Sequence, residues 1–128
     1  MAEQLLKKAE TVALIAIGGF IGANARYFIG LFAPGLTGTF VANITGSFVL
    51  GFIIYEAMYT DYLSERGRLV VTTGFLSSYT TYSTFAVETV QATPLVGLAN
   101  VGANYAFGFA GVLVGRLIAQ TIRGDRNG

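Results

Sequence analysis

The sequence predicts an all-α membrane protein of four transmembrane helices, and three observations carry that prediction. Its 128 residues are 53% hydrophobic and 12% charged, with mean hydropathy +0.60, against about 25% charged residues in an ordinary soluble domain. Apolar runs recur at close to the roughly 20 residues that a helix needs to cross about 30 Å of hydrocarbon. The connections between runs are short, which makes successive helices antiparallel neighbours in one unit, residues 1–128, with both termini on one side.

The first helix is expected over about 11–32, closed by Ala33, Pro34 and Gly35 in a tight uncharged turn. The charged segment MAEQLLKKAE ahead of it has the look of a signal peptide. No small-residue cleavage site follows and the apolar run continues through Arg26 to spanning length, so the segment is expected as the retained start of the helix. The second helix covers about 39–59. A polar loop, TDYLSERGR (60–68), separates the halves. The third spans about 69–91, and Pro94 opens the connection to the fourth at about 95–122. No internal repeat is present, so inverted symmetry would have to come from a partner chain.

The residue inventory leaves little for catalysis. With no Cys there is neither a disulfide framework nor a thiolate metal site, and with no His the usual general base is missing. No enzyme is expected, and no nucleic-acid partner. Lys7, Lys8, Arg66, Arg68, Arg123 and Arg126 fall on the side of the termini, with Arg116 near that end of the last helix, while the opposite loops carry no charge. By the positive-inside rule both termini face the cytoplasm. Glycine is dense, 17 of 128, and Gly18 with Gly22 and Gly111 with Gly115 have the GxxxG spacing of closely packed membrane helices. Tight bundling is expected, an oligomer interface included.

Polar residues at membrane depth are costly unless paired or wet. Arg26, about four turns into the first span, must snorkel or line an aqueous cavity. Asn43, just over one turn into the second helix, offers either an interhelical hydrogen bond or a donor to a dehydrated anion, and Asn24, Asn100 and Asn104 invite the same two readings. Glu88 is either a partner for Arg26 or a wet end group, and an interfacial position accounts for Glu56. Eight Ser and Thr residues crowd Thr72–Thr84. Such a run competes with backbone hydrogen bonding and argues for a helix broken near mid-membrane, which is tolerated only beside protein or a water-filled cavity. Tyr82 and Phe85 follow the break, three apart on one helical face. Their ring edges carry positive quadrupole charge and are able to face a small anion, although either ring taken alone reads better as a packing aromatic.

The segments GGFIGANARY (18–27), GTFVANITGS (38–47) and especially TGFLSSYTTYSTFAVE (73–88) resemble the Fluc (CrcB) family of fluoride channels, and the resemblance extends over the whole chain. It implies a membrane-embedded dimer of antiparallel (inverted) subunits, with two narrow fluoride pores at the interface and a structural sodium ion at the centre. Matched by motif, Phe85 is then a pore-lining aromatic, Tyr82 stands where the family usually has Phe, Asn43 is the pore-facing amide and Arg26 the vestibule arginine. Thr39, Ser83 and Thr84 supply a polar track or its support, and backbone carbonyls around Ser77 and Thr80 bind the sodium. Glu88 matches an acidic residue to which no role is assigned.

Three departures accompany the match. Tyr82 adds a hydroxyl able to bond or obstruct fluoride, Ser77-Ser78 stands where Gly-Gly is usual, and Gly108 and Gly111 offer no hydroxyls, so a track on the fourth helix would use Asn104 or Tyr105. The implied function is passive fluoride export that limits toxicity, by a homodimer or, given the uneven loop charge, by one subunit of a heterodimer with a paralogous chain. A small dimeric proton-coupled efflux transporter is the alternative, but it wants a membrane-centre carboxylate in the first helix, where this chain has Arg26.

Overall fold

The computed structural model describes residues 1–127, which are all-helical apart from short connections; the side chain of Arg126, counted in the charge pattern, lies outside the described residues. Helix α1 (Ala2–Phe32) ends at Ala33-Pro34, because proline supplies no N–H to extend it, and Gly35 turns the chain at φ 72° into α2 (Leu36–Tyr59). Helix α3 (Glu65–Leu69) starts on Ser64, whose hydroxyl accepts the Gly67 N–H at 3.0 Å. Arg66 and Arg68, expected in a loop, therefore sit on a helical turn.

The chain then loosens to π-helical winding over Val70–Leu76, tightens for the short α4 (Ser77–Tyr79), breaks across Thr80–Tyr82 and resumes as α5 (Ser83–Gln91). The hydroxyl run explains the loosening. Thr72 donates to the Arg68 carbonyl at 2.6 Å, Thr80 to that of Leu76 at 2.8 Å, and Ser77 to those of Thr73 and Gly74. Each hydroxyl competes for a carbonyl that the helical ladder would use. Helix α6 (Pro94–Asn127) closes the chain, its proline at the start where a missing N–H costs nothing. Three helices, Ala2–Phe32, Leu36–Tyr59 and Pro94–Asp125, are long and apolar enough to cross a membrane. The remaining apolar segment, around 69–91, is divided by its break and bent.

Two close helix pairs build the molecule: α1 lies against the π-helical segment and α4, and α2 lies against α6. Both GxxxG pairs serve these contacts inside one chain. A Cβ on Gly18 would stand 2.7 Å from the Val70 carbonyl oxygen, and one on Gly22 would collide with the Phe75 carbonyl. Gly115 meets the α2 backbone at Phe48 and Phe52 in the same way. Backbones approach this closely only where no side chain intervenes. The expected oligomer interface therefore has to use other surface, and there is ample: Phe20, Phe32, Val90, Leu95 and Leu98 are among many large apolar side chains facing outward. The small core, centred on Ala42, Ile53, Leu76 and Tyr79, joins α2 to the segment before the break.

Charge is segregated as the sequence implies. Arg66 pairs with Glu10 at 3.0 Å, and the Arg123 guanidinium lies 5.1 Å from the Tyr59 ring centroid, which puts the start of α1, the 60–68 connection and the end of α6 at one end of the bundle.

Candidate ion pathway at the helix break

The break is held by one side chain. Asn43 on α2 donates from Nδ2 to the Thr81 carbonyl at 2.9 Å and accepts the Thr81 N–H on Oδ1 at 2.8 Å. A primary amide matches a peptide group at both ends, so Asn43 replaces the two ladder bonds that Thr81 gives up by leaving the helix. It makes the interhelical bond and keeps one N–H to spare. Gly46, one turn along α2, allows the approach, since a Cβ there would strike the Thr80 methyl. Thr81 in turn uses its hydroxyl to start α5, accepting the Thr84 N–H at 3.2 Å and donating to the Thr84 hydroxyl at 3.1 Å. Thr81 was not singled out in the sequence, although a Thr three residues before another, at a helix start, is a capping signal.

Around this junction lie three clefts. One of about 370 Å³ runs along the break and gathers Asn43 of α2, Ser77 of α4, Thr80 and Tyr82 of the break and Phe85 of α5. A second, about 210 Å³, brings Arg26, Thr39, Thr84 and Glu88 together toward the uncharged end. Among the described residues Arg26, half-buried, has no carboxylate within 4.0 Å; Glu88 shares its cleft and keeps a buried Oε2 without a hydrogen-bond partner. Thr81 lines both clefts and so separates them. The third, about 270 Å³, lies on the α6 side of the rings, with Tyr82, Phe85, Asn104 and Tyr105 in its wall. Ser83 is exposed at the first turn of α5, its hydroxyl 3.4 Å from that of Thr81.

The two aromatics differ sharply. Phe85 is 8% exposed and Tyr82 is 74% exposed, with ring centroids 5.8 Å apart and planes tilted by 48°. Phe85 also meets Tyr105 of α6 nearly edge-on, at 6.5 Å and 81°. In tilted and edge contacts the positively polarised edge of one ring meets the negative face of the other, and both Tyr82 and Phe85 line the clefts at the break. Phe85 is positioned from below by Thr89, which donates to the Phe85 carbonyl at 2.7 Å and accepts from Asn100 at 2.9 Å. Asn104 extends the ladder by donating to the carbonyl and side-chain oxygen of Asn100.

The carbonyls of Ser77 and Thr80, implied sodium ligands, fit a hard cation. In an unbroken helix Thr81 N–H would bond Ser77 and Thr84 N–H would bond Thr80; here these donors go to Asn43 and to the Thr81 hydroxyl. Both carbonyls lose their helical donors beside an open cleft, the setting in which unwound backbone binds sodium. Among the described residues no group of three or more Asp, Glu, His or Cys side chains is arranged for a metal.

Glu56 is not the interfacial end group that its position suggests. It is 3% exposed and accepts the N–H groups of Tyr62 and Leu63, the latter at 3.1 Å, and the Thr60 hydroxyl at 3.2 Å, with Arg68 at 3.7 Å. Arg68 also pairs with Asp61, and the hydrogen bond that it donates to the Asp61 carboxylate raises the guanidinium pKa above its ordinary value. This cluster fixes the 60–64 connection at the charged end, away from the break.

A family model described as CrcB-like protein, Camphor Resistance (CrcB), matches residues 13–116. A protein of Haloarcula marismortui named fluoride-specific ion channel FluC 1 is 53% identical over 119 residues, covering 93% of each chain. Fluoride-specific ion channel FluC 2 of Halobacterium salinarum is 51% identical over 119 residues, 92% of this chain and 93% of that one. More distant is the fluoride-specific ion channel FluC of Ruminiclostridium cellulolyticum, 34% identical over 127 residues, 91% of this chain and 98% of its own.

Proposed function

The chain belongs to the CrcB-like family, and from that membership we infer that it is a fluoride-selective ion channel, a multi-pass integral membrane protein and not an enzyme. Transport is passive: fluoride moves down its electrochemical gradient, and the consequence is export that limits fluoride toxicity. The observation that carries the reading to particular residues is the junction where Asn43, Tyr82 and Phe85 share one cleft beside a broken helix.

In this reading the bent segment 69–91 makes a fourth crossing, interrupted at mid-membrane, and two chains associate in antiparallel orientation to close a pore against each other's exposed aromatics. An anion enters the cleft of Arg26, whose guanidinium has no intrachain carboxylate to neutralise it, and loses water against the hydroxyls of Thr39, Ser83 and Thr84. It then passes the spare N–H of Asn43 and the ring edges of Tyr82 and Phe85. Ring edges suit a channel because they attract an anion without the deep well of a full positive charge, so the ion is able to leave. The Tyr82 hydroxyl, exposed and projecting into two clefts, adds a donor at this step. The carbonyls of Ser77 and Thr80 would hold a sodium ion, whose charge offsets the carbonyl dipoles at the dimer centre.

A second reading is favoured by the charge distribution. Lys7, Arg66 and Arg123 gather at one end of the bundle and the opposite connections are uncharged, whereas a chain inserting both ways should be nearly balanced. One subunit of a heterodimeric channel fits that bias, and several relatives bear numbered names that distinguish a FluC 1 from a FluC 2. The homodimer is preferred because this chain carries the pore motifs itself. The residue assignments are tested by fluoride flux from liposomes: Asn43→Asp places a like charge in the path and Phe85→Ile removes a ring edge while keeping bulk, so both should suppress it. Full flux in both variants at wild-type protein levels would remove these residues from the pathway.

A further inference from the structure

At the charged end of the bundle some cations have a carboxylate partner and others, Lys8 among them, have none within 4.0 Å among the described residues; what sets two of these apart is a seat on an aromatic ring. Lys7 pairs with Glu3, Arg66 with Glu10, and Arg68 with Asp61 and Glu56. Arg116 and Arg123 on α6 have no carboxylate within 4.0 Å among the described residues, although Asp125 is only two positions from Arg123. They rest instead on aromatic rings of α2, with Arg116 5.2 Å from the Tyr55 centroid and Arg123 5.1 Å from that of Tyr59, the two rings stacked 5.9 Å apart. Cation–π seating fixes a guanidinium through its face and leaves its N–H edge free. The Arg116 Nε is buried without a hydrogen-bond partner among the described residues.

Seven residues separate the two arginines, which is about 10 Å along a helix and places both on one face. Gln120 lies between them on that face, its amide donating to the Tyr59 hydroxyl at 3.4 Å. The α2–α6 groove thus carries a guanidinium, an amide and a second guanidinium, oriented by a two-ring platform. Its two guanidinium groups have no carboxylate partner among the described residues, and they stand at the end of two apolar spans. We propose that this groove binds the phosphate of an anionic phospholipid headgroup, with the acyl chains lying along the exposed apolar side of α6. The chemistry asked for is a phosphate, since a guanidinium edge matches two of its oxygens at once, and basic pockets between membrane helices on the cytoplasmic side are suited to such headgroups. The lipid is preferred to free phosphate because Phe109 and Leu113 are exposed on α6 on the membrane side of Arg116 and offer the acyl chains a surface. The site lies at the charged end, apart from the clefts at the break, so it stands whether or not the chain conducts fluoride.

The test is native mass spectrometry of the full chain released from detergent micelles containing equal amounts of phosphatidylglycerol and phosphatidylcholine. Wild type should retain phosphatidylglycerol about tenfold or more over phosphatidylcholine, and Arg116→Gln with Arg123→Gln should remove most of that preference. Lys7→Gln with Lys8→Gln, an equal loss of charge at the same end, should leave it intact. Arg123→Gln alone, at an exposed position that does not challenge folding, should weaken it by several-fold. Equal retention in the arginine variants and wild type, or an equal loss in the lysine control, would overturn the site. Displacement of phosphatidylglycerol by an equal concentration of inorganic phosphate would overturn the lipid in favour of a free anion.

Discussion

Replacing Asn43 by leucine keeps the volume of the side chain and removes both bonds to Thr81, at 2.8 and 2.9 Å. Each backbone group left unsatisfied in a buried setting costs about 1–3 kcal/mol. Asn43 is half-buried beside an open cleft, so water recovers part of that, and the low end of the range applies to each group. The expected loss is about 2–3 kcal/mol. Asn43→Asp keeps an acceptor for the Thr81 N–H but sets a carboxylate against the Thr81 carbonyl, a repulsive contact for a half-buried charge, so its loss should be at least as large. Asn24→Leu provides the control, because Asn24 bonds only the Phe20 carbonyl of its own helix at an exposed site; its effect should stay within about 0.5 kcal/mol. The assay is unfolding in mixed micelles titrated with sodium dodecyl sulfate, followed by far-ultraviolet circular dichroism. An Asn43→Leu protein as stable as Asn24→Leu would refute the role of Asn43 in holding the break.

Gly22→Ala should destabilise by about 1–3 kcal/mol in the same titration, because its Cβ meets the Phe75 carbonyl, and α1 has to move off the π-helical segment. Glu56→Gln retains an acceptor for the Tyr62 and Leu63 N–H groups but loses the charge facing Arg68, and should cost roughly 1–3 kcal/mol without changing flux per folded channel. Tyr82→Phe, at a ring that is 74% exposed and has no other hydrogen-bonding duty in the chain, should alter fluoride flux while leaving stability within about 0.5 kcal/mol. If the proposed sodium site is occupied, exchange of sodium for N-methylglucamine should lower the stability of the folded protein as a bound ligand's removal does; unchanged unfolding in the two salts would argue against the Ser77 and Thr80 carbonyls as ligands.

Much of this was legible because membrane burial writes itself in composition. Apolar runs located α1, α2 and α6, and Pro34-Gly35 marked the first turn. The hydroxyl run announced a disturbed helix between Thr72 and Thr84, since Ser and Thr in number compete with the ladder. Its exact form was not legible: which residues wind as a π-helix depends on the carbonyl each hydroxyl chooses, and that choice depends on α1 packing against Gly74. Asn43 stood out as a polar residue in an apolar span, but its partner Thr81, 38 positions away, is fixed only by tertiary packing. Glu56 misled for a related reason. Near a helix end a carboxylate reads as solvated, and only the folding back of Thr60–Leu63 buries it. The GxxxG pairs signalled close approach correctly, yet spacing alone does not say whether the neighbour is the same chain or another.

The central claim is conduction of fluoride by this chain, and it is most directly met by reconstituting the purified protein alone in liposomes loaded with potassium fluoride. Efflux is followed with a fluoride electrode after a potassium ionophore collapses the voltage, with chloride-loaded liposomes and an imposed proton gradient as parallel arms. Rapid fluoride release, with no comparable chloride release and no dependence on the proton gradient, is the predicted result. Release that follows the proton gradient, equal passage of chloride, or no release from folded protein either alone or mixed with a paralogous chain would contradict the account.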